Sequence, residues 1–191
     1  MESMYLVHSF FFLYIKLFGD SMYLISDGGV KCNTLDTIEA IMLTKNICFL
    51  DGVKLDVRKS LDNVYVLSKY DDLGILTYSN NLVSKSNYNY LRKVKFPSHI
   101  FKYYIPTLEE ILIKYNNDKI VALEIYDNGL DSLLNILKKY SYKYYFLGSK
   151  KIINELKEKN FDEIGVILNQ EDIIIPKVNI NLYDNSFLIK K

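Results

Sequence analysis

Charged side chains occur in this chain where stretches of apolar, β-forming sequence come to an end. Asp27 follows one such stretch, Lys54 and Asp56 lie two residues apart in a second, and Glu124 lies near the end of a third. Side chains two residues apart in a strand point to the same face of a sheet. Carboxylates gathered at a strand end can bind a divalent cation, whereas a lysine among them can neutralise the acids or contact an anionic group.

Proton transfer is the chemistry that these residues do not obviously supply. Histidine is the usual general acid or base near neutral pH. The chain has two histidines, His8 in an apolar N-terminal segment and His99 in a stretch rich in Asn, Ser, Tyr and Lys. We expect His99 to be an ordinary surface residue, and the alternative is a substitute base that reaches the site.

Composition restricts the class of protein. With 191 residues, 49% of them hydrophobic, the chain is long enough for one sizeable core. A formal net charge of +1 gives no overall field for nucleic acid or an anionic membrane, so we expect neither as a partner. The two cysteines, Cys32 and Cys48, suggest no disulfide framework, which favours a reducing, cytoplasmic location. The sequence leaves the oligomeric state open.

Residues 1–21 form an apolar N-terminal extension. Its apolar stretch, 5–18, is too short for a membrane-spanning helix and lacks the flanks of a secretory signal. We expect a helix that covers one end of the domain, or a mis-assigned start codon with Met22 as the natural start. A membrane anchor is the remaining alternative.

Residues 22–191 are predicted to form one α/β domain in which strands and helices alternate. The predicted strands are 22–26, 48–57, 64–70, 119–125, 144–147, 163–168 and 178–182. The predicted helices are 35–45, capped by Asn33 or Thr34, one that starts at Thr107, 129–140 and 150–159. Alternation of this kind implies parallel βαβ units. Residues 74–104 lack periodicity and are predicted to be a lid-like, poorly ordered insert.

Six short segments carry a family resemblance in their order along the chain. They are SDG at 26–28, CNT at 32–34, DGVKLDV at 51–57, YD at 70–71, IPTLEE at 105–110 and EIY at 124–126. They resemble motifs of the glycerophosphodiester phosphodiesterase family, which read His-Arg-Gly, Glu-Asn-Thr, Asp-Gly-x-Glu-x-Asp-Val, His-Asp, Ile-Pro-Thr-Leu-Glu-Glu and Glu-Ile-Lys. The resemblance implies a TIM-barrel-like fold. Because such barrels need about 250 residues, we expect this one to be shortened or incompletely closed at its C-terminus.

The family's reaction, as the resemblance implies it, cleaves a glycerophosphodiester to glycerol 3-phosphate and an alcohol. The reaction needs two proton-transfer groups and a divalent cation, Ca²⁺ or Mg²⁺. In this chain Ser26 and Tyr70 stand at the positions of the catalytic histidines. Asp56 and Glu124 stand at two of the family's three metal-binding carboxylate positions, and Lys54 stands at the third.

The remaining positions of the family site are occupied by other residue types. Asp27 replaces the motif arginine, Cys32 replaces the motif glutamate and Asn33 is kept. Together with Lys54 these residues are the candidates for substrate binding. The exchange of arginine for Asp27 and of glutamate for Lys54 predicts an ion pair between the two, with Asp56 and Glu124 nearby. Alternatively, Lys54 extends out of an incompletely closed barrel, and Asp71 and Asp72 are loop caps.

Three functions remain open. We expect an inactive binding or accessory module for a phosphate- or polyol-bearing ligand, with no cofactor. The second possibility is an active phosphoric diester hydrolase in which Asp27, Asp56 and Glu124 form a new metal triad for Ca²⁺ or Mg²⁺. The third is a decayed remnant without a selected role.

Overall fold

One β-sheet with helices packed against it makes up the described part of the chain. The computed structural model describes residues 12–16, 22–29, 36–96, 104–116, 118–169 and 173–174, with the backbone alone at 12–16, 22 and 173–174. The strands are β1 Phe12–Lys16, β2 Met22–Asp27, β3 Gly52–Lys59, β4 Tyr65–Leu67, β5 Ile120–Ile125, β6 Tyr144–Gly148, β7 Gly165–Ile167 and β8 Ile173–Ile174. The helices are α1 Ile38–Thr44, α2 Tyr88–Leu91, α3 Leu108–Tyr115, α4 Asp131–Leu137 and α5 Lys150–Glu158.

The order of strands across the sheet is β7-β6-β5-β3-β2-β1-β8, and β4 pairs with the end of β3. Strands β2, β3, β5, β6 and β7 run parallel, as the alternation of strands and helices predicts. β1 is antiparallel to both β2 and β8. Within the described ranges no pairing joins β7 to β8, so the predicted short and unclosed α/β barrel is confirmed.

The two faces of the sheet have different neighbours. Alternate residues of β3, Val53, Leu55 and Val57, are buried on the outer face in one large cluster that includes residues of the packed helices. Gly52, Lys54 and Asp56 therefore lie on the inner face. Toward the N-terminal ends of the strands this inner face is apolar, with Ile25, Ile120, Ala122, Tyr145 and Leu147 in a second cluster. The polar residues of β3 thus lie toward its C-terminal end, the edge at which parallel barrels hold their sites.

Helix starts agree with the sequence prediction at α3 and differ at α1. Thr107 caps α3 in a capping box, in which its side chain accepts from the Glu110 N–H and the Glu110 carboxylate accepts from the Thr107 N–H. The first helix begins at Ile38, with Thr37 as its cap, and not at residue 35. The predicted caps Asn33 and Thr34 lie outside the described residues. Asp36 adopts a positive φ of 59°, a conformation that a helix cannot include.

The N-terminal segment also differs from the prediction. Phe12–Lys16 is a strand and not part of a helix, and it pairs with β2 from Phe12↔Ser26 to Lys16↔Met22. Its sequence, FLYIK, consists largely of aromatic and β-branched residues, which favour strands. The predicted strand 178–182 lies outside the described residues.

The stretch predicted as an insert, 74–104, is described as far as Phe96. It contains the short helix α2 and a 3₁₀ turn at Val83–Lys85. Val83, Leu91 and Val94 are buried in a cluster with Val66 of β4 and Ile105. The described part of this stretch is therefore packed, although it lacks the periodicity that sequence patterns detect.

The middle and the C-terminal end of this excursion both contact the neighbourhood of β4. Leu61 N donates to Ser86 O at 3.0 Å, and Leu67 N donates to Pro106 O at 3.0 Å. Val66 also forms an isolated antiparallel bridge with Thr107. The start of α3 is therefore attached to β4, next to the point at which the excursion leaves it.

No helix within the described ranges is both long enough and apolar enough to cross a bilayer.

The close approach of β3 and β5 depends on Gly52, which leads to a test of the packing. A Cβ added at Gly52 would lie 2.3 Å from the carbonyl oxygen of Ile120, a backbone atom that cannot move aside without distorting the sheet. We expect Gly52→Ala to lower the free energy of unfolding by about 1–3 kcal/mol in urea denaturation. Gly74→Ala is the matched control, since its Cβ would come no closer than 3.1 Å to any neighbour, the nearest atom being a side-chain carboxylate oxygen of Asp72. Equal stability of the two variants would contradict this account of the sheet.

Candidate functional site

The ammonium group of Lys54 lies at the centre of three carboxylates. Its Nζ is 2.8 Å from Asp27 Oδ1, 3.0 Å from Asp56 Oδ1 and 2.6 Å from Glu124 Oε2. The predicted Asp27–Lys54 ion pair is therefore present, with the two further acids that the sequence placed beside it. The side chains of Lys54 and Asp56 are buried, while those of Asp27 and Glu124 are 24% and 32% exposed. The cluster is thus open to solvent on the side of these two acids.

Strand register explains why the four side chains meet. Asp27 of β2 pairs with Lys54 of β3, and Asp56 of β3 pairs with Glu124 of β5. Partners across parallel strands share one face, and residues two apart in a strand do so as well. All four side chains therefore project from the inner face of three adjacent strands.

The three acids determine the charge state of Lys54. Burial alone would lower the pKa of the ammonium, but the carboxylates of Asp56, Asp27 and Glu124 outweigh it and raise that pKa well above 10.5. Lys54 is therefore fully charged at neutral pH. An ammonium has three N–H donors, and three carboxylate oxygens lie within hydrogen-bonding distance of it.

A tyrosine and an arginine extend the cluster toward the strand ends. The Tyr126 hydroxyl donates to Asp56 Oδ1 at 2.7 Å. Burial raises the pKa of this phenol, and the charge of Asp56 raises it further, so Tyr126 stays a neutral donor. The guanidinium carbon of Arg58 lies 4.3 Å from the centre of the Tyr126 ring, and Arg58 Nη2 donates to Lys69 O at 3.1 Å.

A second lysine faces the cluster from the loop that follows β4. Lys69 Nζ lies 3.7 Å from Asp27 Oδ2, and the Lys69 side chain is 40% exposed. Such an exposed pair is weak, and the Lys69 ammonium remains accessible to an incoming group.

Asp36 is a further acid buried close to the cluster. Burial raises the pKa of its carboxyl well above 3.8, the negative charges of Asp56 and Asp27 raise it further, and Lys54 opposes the shift. Among the described residues, Asp36 Oδ1 has no hydrogen-bond partner. Its backbone N–H donates to Gly28 O at 2.8 Å, which connects the turn before α1 to the end of β2.

The side chains of Ser26 and Tyr70, which stand at the positions of the family's histidines, make no hydrogen bond to those of Lys54 or of its three acids. Ser26 pairs with Val53, so its side chain lies on the outer face, and its hydroxyl donates to Gly29 O at 2.7 Å. The inner-face residue at the end of β2 is Asp27, because side chains alternate along a strand. Tyr70 lies in the loop after β4 and is 38% exposed. Its phenol has no hydrogen bond to any residue that the structure describes.

The loop acids have structural roles, as one of the two readings of the sequence predicted. Asp71 accepts from both the N–H and the hydroxyl of Ser84, at 2.8 and 2.9 Å. Asp72 caps the 3₁₀ turn Leu73–Ile75 by accepting from Gly74 N. Cys32, Asn33, His8 and His99 lie outside the described residues.

The cluster does not fit a divalent cation in its present arrangement. Lys54 Nζ lies between the acids at distances of 2.6–3.0 Å, and Ca²⁺ would need oxygens at 2.3–2.6 Å around the same point. Within the described ranges no three His, Cys, Asp or Glu side chains form a group that could hold a metal ion. Lys54 itself supplies the positive charge that these acids require.

Sequence reasoning missed four residues of this neighbourhood. Arg58 and Tyr126 could have been found by extending the two-residue periodicity from Asp56 and Glu124 along the same face. Lys69 and Asp36 gave no such signal, since each reaches the cluster from a loop whose path depends on tertiary packing.

Comparisons with known proteins agree with the resemblance seen in the sequence. A glycerophosphodiester phosphodiesterase from Agrobacterium tumefaciens superposes with a TM-score of 0.65 at 17% identity, over 72% of this chain and 63% of that one. A phosphodiesterase from Oleispira antarctica, solved with its product sn-glycerol-3-phosphate, gives 0.64 at 18% identity, over 75% and 63%. The Thermotoga maritima glycerophosphodiester phosphodiesterase gives 0.60 at 26% identity, over 76% and 62%.

These likenesses show a glycerophosphodiester phosphodiesterase-like fold. The chain spans less than two thirds of the length of each of these three structures. No protein-family model matches the sequence, and no curated protein matches it either.

The buried carboxyl of Asp36 predicts an unusual dependence of stability on pH. Its pKa is raised on folding, so the unfolded chain releases this proton first as pH rises from 3.8, and stability falls until the folded pKa is reached. Asp36→Asn removes this loss, and asparagine tolerates the positive φ. We expect the variant to unfold at a higher temperature than wild type at pH 7, with a difference that shrinks as pH falls through 3.8.

Asp62→Asn is the matched control, because a hydrogen bond from Ser60 lowers the pKa of Asp62. This control should lose stability at pH 7 and regain it in acid. An Asp36→Asn variant that is less stable than wild type at every pH would contradict the assignment of a neutral, destabilising carboxyl.

Proposed function

We propose that this glycerophosphodiester phosphodiesterase-like chain lacks the metal-dependent hydrolase activity implied by its resemblance. In its place, the chain binds a small phosphate- or polyol-bearing ligand over the Lys54 cluster. The observation that carries the proposal is the position of the Lys54 ammonium, 2.6–3.0 Å from three carboxylate oxygens. A fixed internal cation there satisfies the acids that would otherwise bind a metal.

Proton transfer supports the same conclusion. Hydrolysis of a phosphodiester is assisted by groups that take up and deliver protons near neutral pH, each worth about 10²–10⁴ in rate. Ser26, at one of the positions where the family motif has histidine, points to the other face of the sheet. Tyr70, at the other, offers a phenol, which is a poor base at neutral pH.

The exposed groups of the cluster suit a ligand that combines hydroxyls with an anion. Asp27 and Glu124 present carboxylate oxygens to solvent, and such oxygens accept hydrogen bonds from hydroxyl groups. Lys69, 40% exposed beside Asp27, can contact a phosphate oxygen. The Oleispira antarctica protein with the same fold holds sn-glycerol-3-phosphate, a molecule of this class.

A second candidate function is a hydrolase with a reorganised metal site. The convergence of Asp27, Asp56 and Glu124 on one point favours it, because displacement of Lys54 would leave three carboxylates around a space of cation size. The two candidates differ in whether the wild-type protein binds Ca²⁺ and hydrolyses a phosphodiester in its presence.

The first measurement is hydrolysis of glycerophosphocholine, followed by release of glycerol 3-phosphate in a coupled dehydrogenase assay. We expect the wild-type protein to give no release above a buffer blank, with or without Ca²⁺ or Mg²⁺, because the residues that the structure describes form neither a metal site nor a proton-transfer pair. The Thermotoga maritima enzyme serves as the positive control. Metal-dependent turnover that Asp56→Ala and Glu124→Ala both abolish would establish the second candidate.

The second measurement is calcium binding by titration calorimetry at neutral pH. The wild-type protein should give no binding signal, since Lys54 occupies the space among the acids. Lys54→Glu removes the ammonium and adds a fourth carboxylate, so it should bind Ca²⁺ with a measurable heat and gain thermal stability as Ca²⁺ is added.

Lys151→Glu makes the same charge change on the exposed face of α5 and is the control. It should bind no calcium. Binding by the wild-type protein, or equal binding by the two variants, would contradict the role given to Lys54.

A further inference from the structure

Acidic residues are absent from residues 74–104, which form most of the excursion between β4 and α3. The stretch 74–104 contains five Lys or Arg residues and no Asp or Glu, in a chain whose formal net charge is only +1. Four of these residues, Lys85, Arg92, Lys93 and Lys95, are described, and all four are exposed. None of the four forms an ion pair with another described residue. A local positive surface therefore exists on a nearly neutral chain.

Two concavities lie side by side within this stretch, and Tyr90 lines both. The first, about 470 Å³, is lined mainly by amides and hydroxyls, with Lys85 among them: Asn80, Asn81, Lys85, Ser86, Asn87 and Tyr90. The second, about 270 Å³, is lined by Tyr78, Ser79, Tyr90, Lys93 and Lys95 together with Val94. We refer to the two concavities together as the Tyr90 face.

The Tyr90 face is held in shape by the packing beneath it. Val83, Leu91 and Val94 are buried in the cluster that also contains Val66 of β4. The Tyr90 hydroxyl lies 2.8 Å from Ser79 Oγ, which orients the ring between the concavities. A ligand would therefore meet a preformed surface and lose little affinity to ordering it.

We propose that the Tyr90 face binds an acidic polysaccharide, a chain of sugar rings that carry carboxylate groups. The exposed amides of Asn80, Asn81 and Asn87 can exchange hydrogen bonds with sugar hydroxyls. The exposed ring of Tyr90, 42% accessible, can pack against the apolar face of a sugar ring. At least one lysine lines each concavity, so successive sugars can each place an anion against a cation.

The chemistry of the face argues against a lipid surface as its occupant. Membrane docking needs exposed apolar side chains that enter the acyl boundary, together with basic residues. Among residues 74–96, which the structure describes, the exposed large apolar or aromatic side chains are Tyr78, Tyr90 and one aliphatic residue, Ile75. The other exposed residues that line the two concavities carry amide or ammonium groups. The proposal is independent of the Lys54 cluster and does not rest on the function proposed for it.

The test is binding of oligogalacturonate to the full chain, measured by titration calorimetry at low and at physiological salt. We expect saturable binding that weakens as salt rises, because part of the attraction is between ammonium and carboxylate groups. The variant with Lys85→Gln, Lys93→Gln and Lys95→Gln should bind about tenfold more weakly or worse. Tyr90→Ala should weaken binding by a similar factor, on the order of tenfold, and Tyr90→Phe by less, because the ring is kept.

Control variants and a neutral polysaccharide test whether binding depends on the Tyr90 face and on the charge of the ligand. Lys151→Gln with Lys157→Gln removes exposed lysines from α5 and should leave the affinity unchanged. Neutral dextran should bind weakly or not at all. Thermal unfolding of each variant should match that of wild type, and Tyr90→Phe maintains the test if Tyr90→Ala does not fold.

Three results would overturn the proposal. The first is inorganic polyphosphate or an oligothymidylate that binds as tightly as oligogalacturonate, which would show a general polyanion surface. The second is binding to phosphatidylglycerol vesicles with no binding to oligogalacturonate, which would show a lipid surface. The third is an α5 control that loses as much affinity as the triple lysine variant. A Lys54→Glu variant that binds no Ca²⁺ would count only against the function proposed for the Lys54 cluster.

Discussion

The need to neutralise three acids at one point governs the architecture of this molecule. Asp27, Asp56 and Glu124 come from three adjacent strands, and each lies within 3.0 Å of the same ammonium group. Without Lys54, the mutual repulsion of partly buried carboxylates would act directly against the pairing of those strands. Lys54 thus connects β2, β3 and β5 at the edge where parallel strands hold their functional side chains. Because this cation is covalently part of the chain, the connection needs no metal to complete it.

The outer part of the cluster extends this arrangement through polar contacts that are less buried. Tyr126 donates to Asp56, Arg58 lies over the Tyr126 ring, and Lys69 approaches Asp27 from the loop after β4. The centre of the cluster, at Lys54, is buried and paired, whereas the charges at its rim remain accessible to solvent. This gradient separates the part that stabilises the fold from the part that can recognise a ligand.

The predictable part of the site was the part determined by strand periodicity. The order of the motifs located β2, β3 and β5, and the two-residue repeat placed Lys54 beside Asp56 on one face. The same repeat, applied from Lys54 to β2, would have selected Asp27 and excluded Ser26, whose side chain lies on the opposite face. Asp36 was not predictable, because its approach depends on a positive φ in a turn that no local pattern required. Likewise, the packing of 74–96 depends on contacts with β4 and Ile105 that aperiodic sequence does not reveal.

The excursion between β4 and α3 begins and ends on the same strand, where Leu67 donates to Pro106 and Val66 bridges to Thr107. The chain can therefore change the exposed side chains of this excursion without shifting the register of β4 or the start of α3. Selection on these exposed positions is thereby largely uncoupled from selection acting on the sheet, whereas the buried Val83, Leu91 and Val94 remain tied to β4 by packing. A surface of new chemistry, rich in tyrosine, asparagine and lysine, can evolve there while the Lys54 cluster continues to maintain the fold. Modularity of this kind lets a fold acquire a second recognition surface independently of its first.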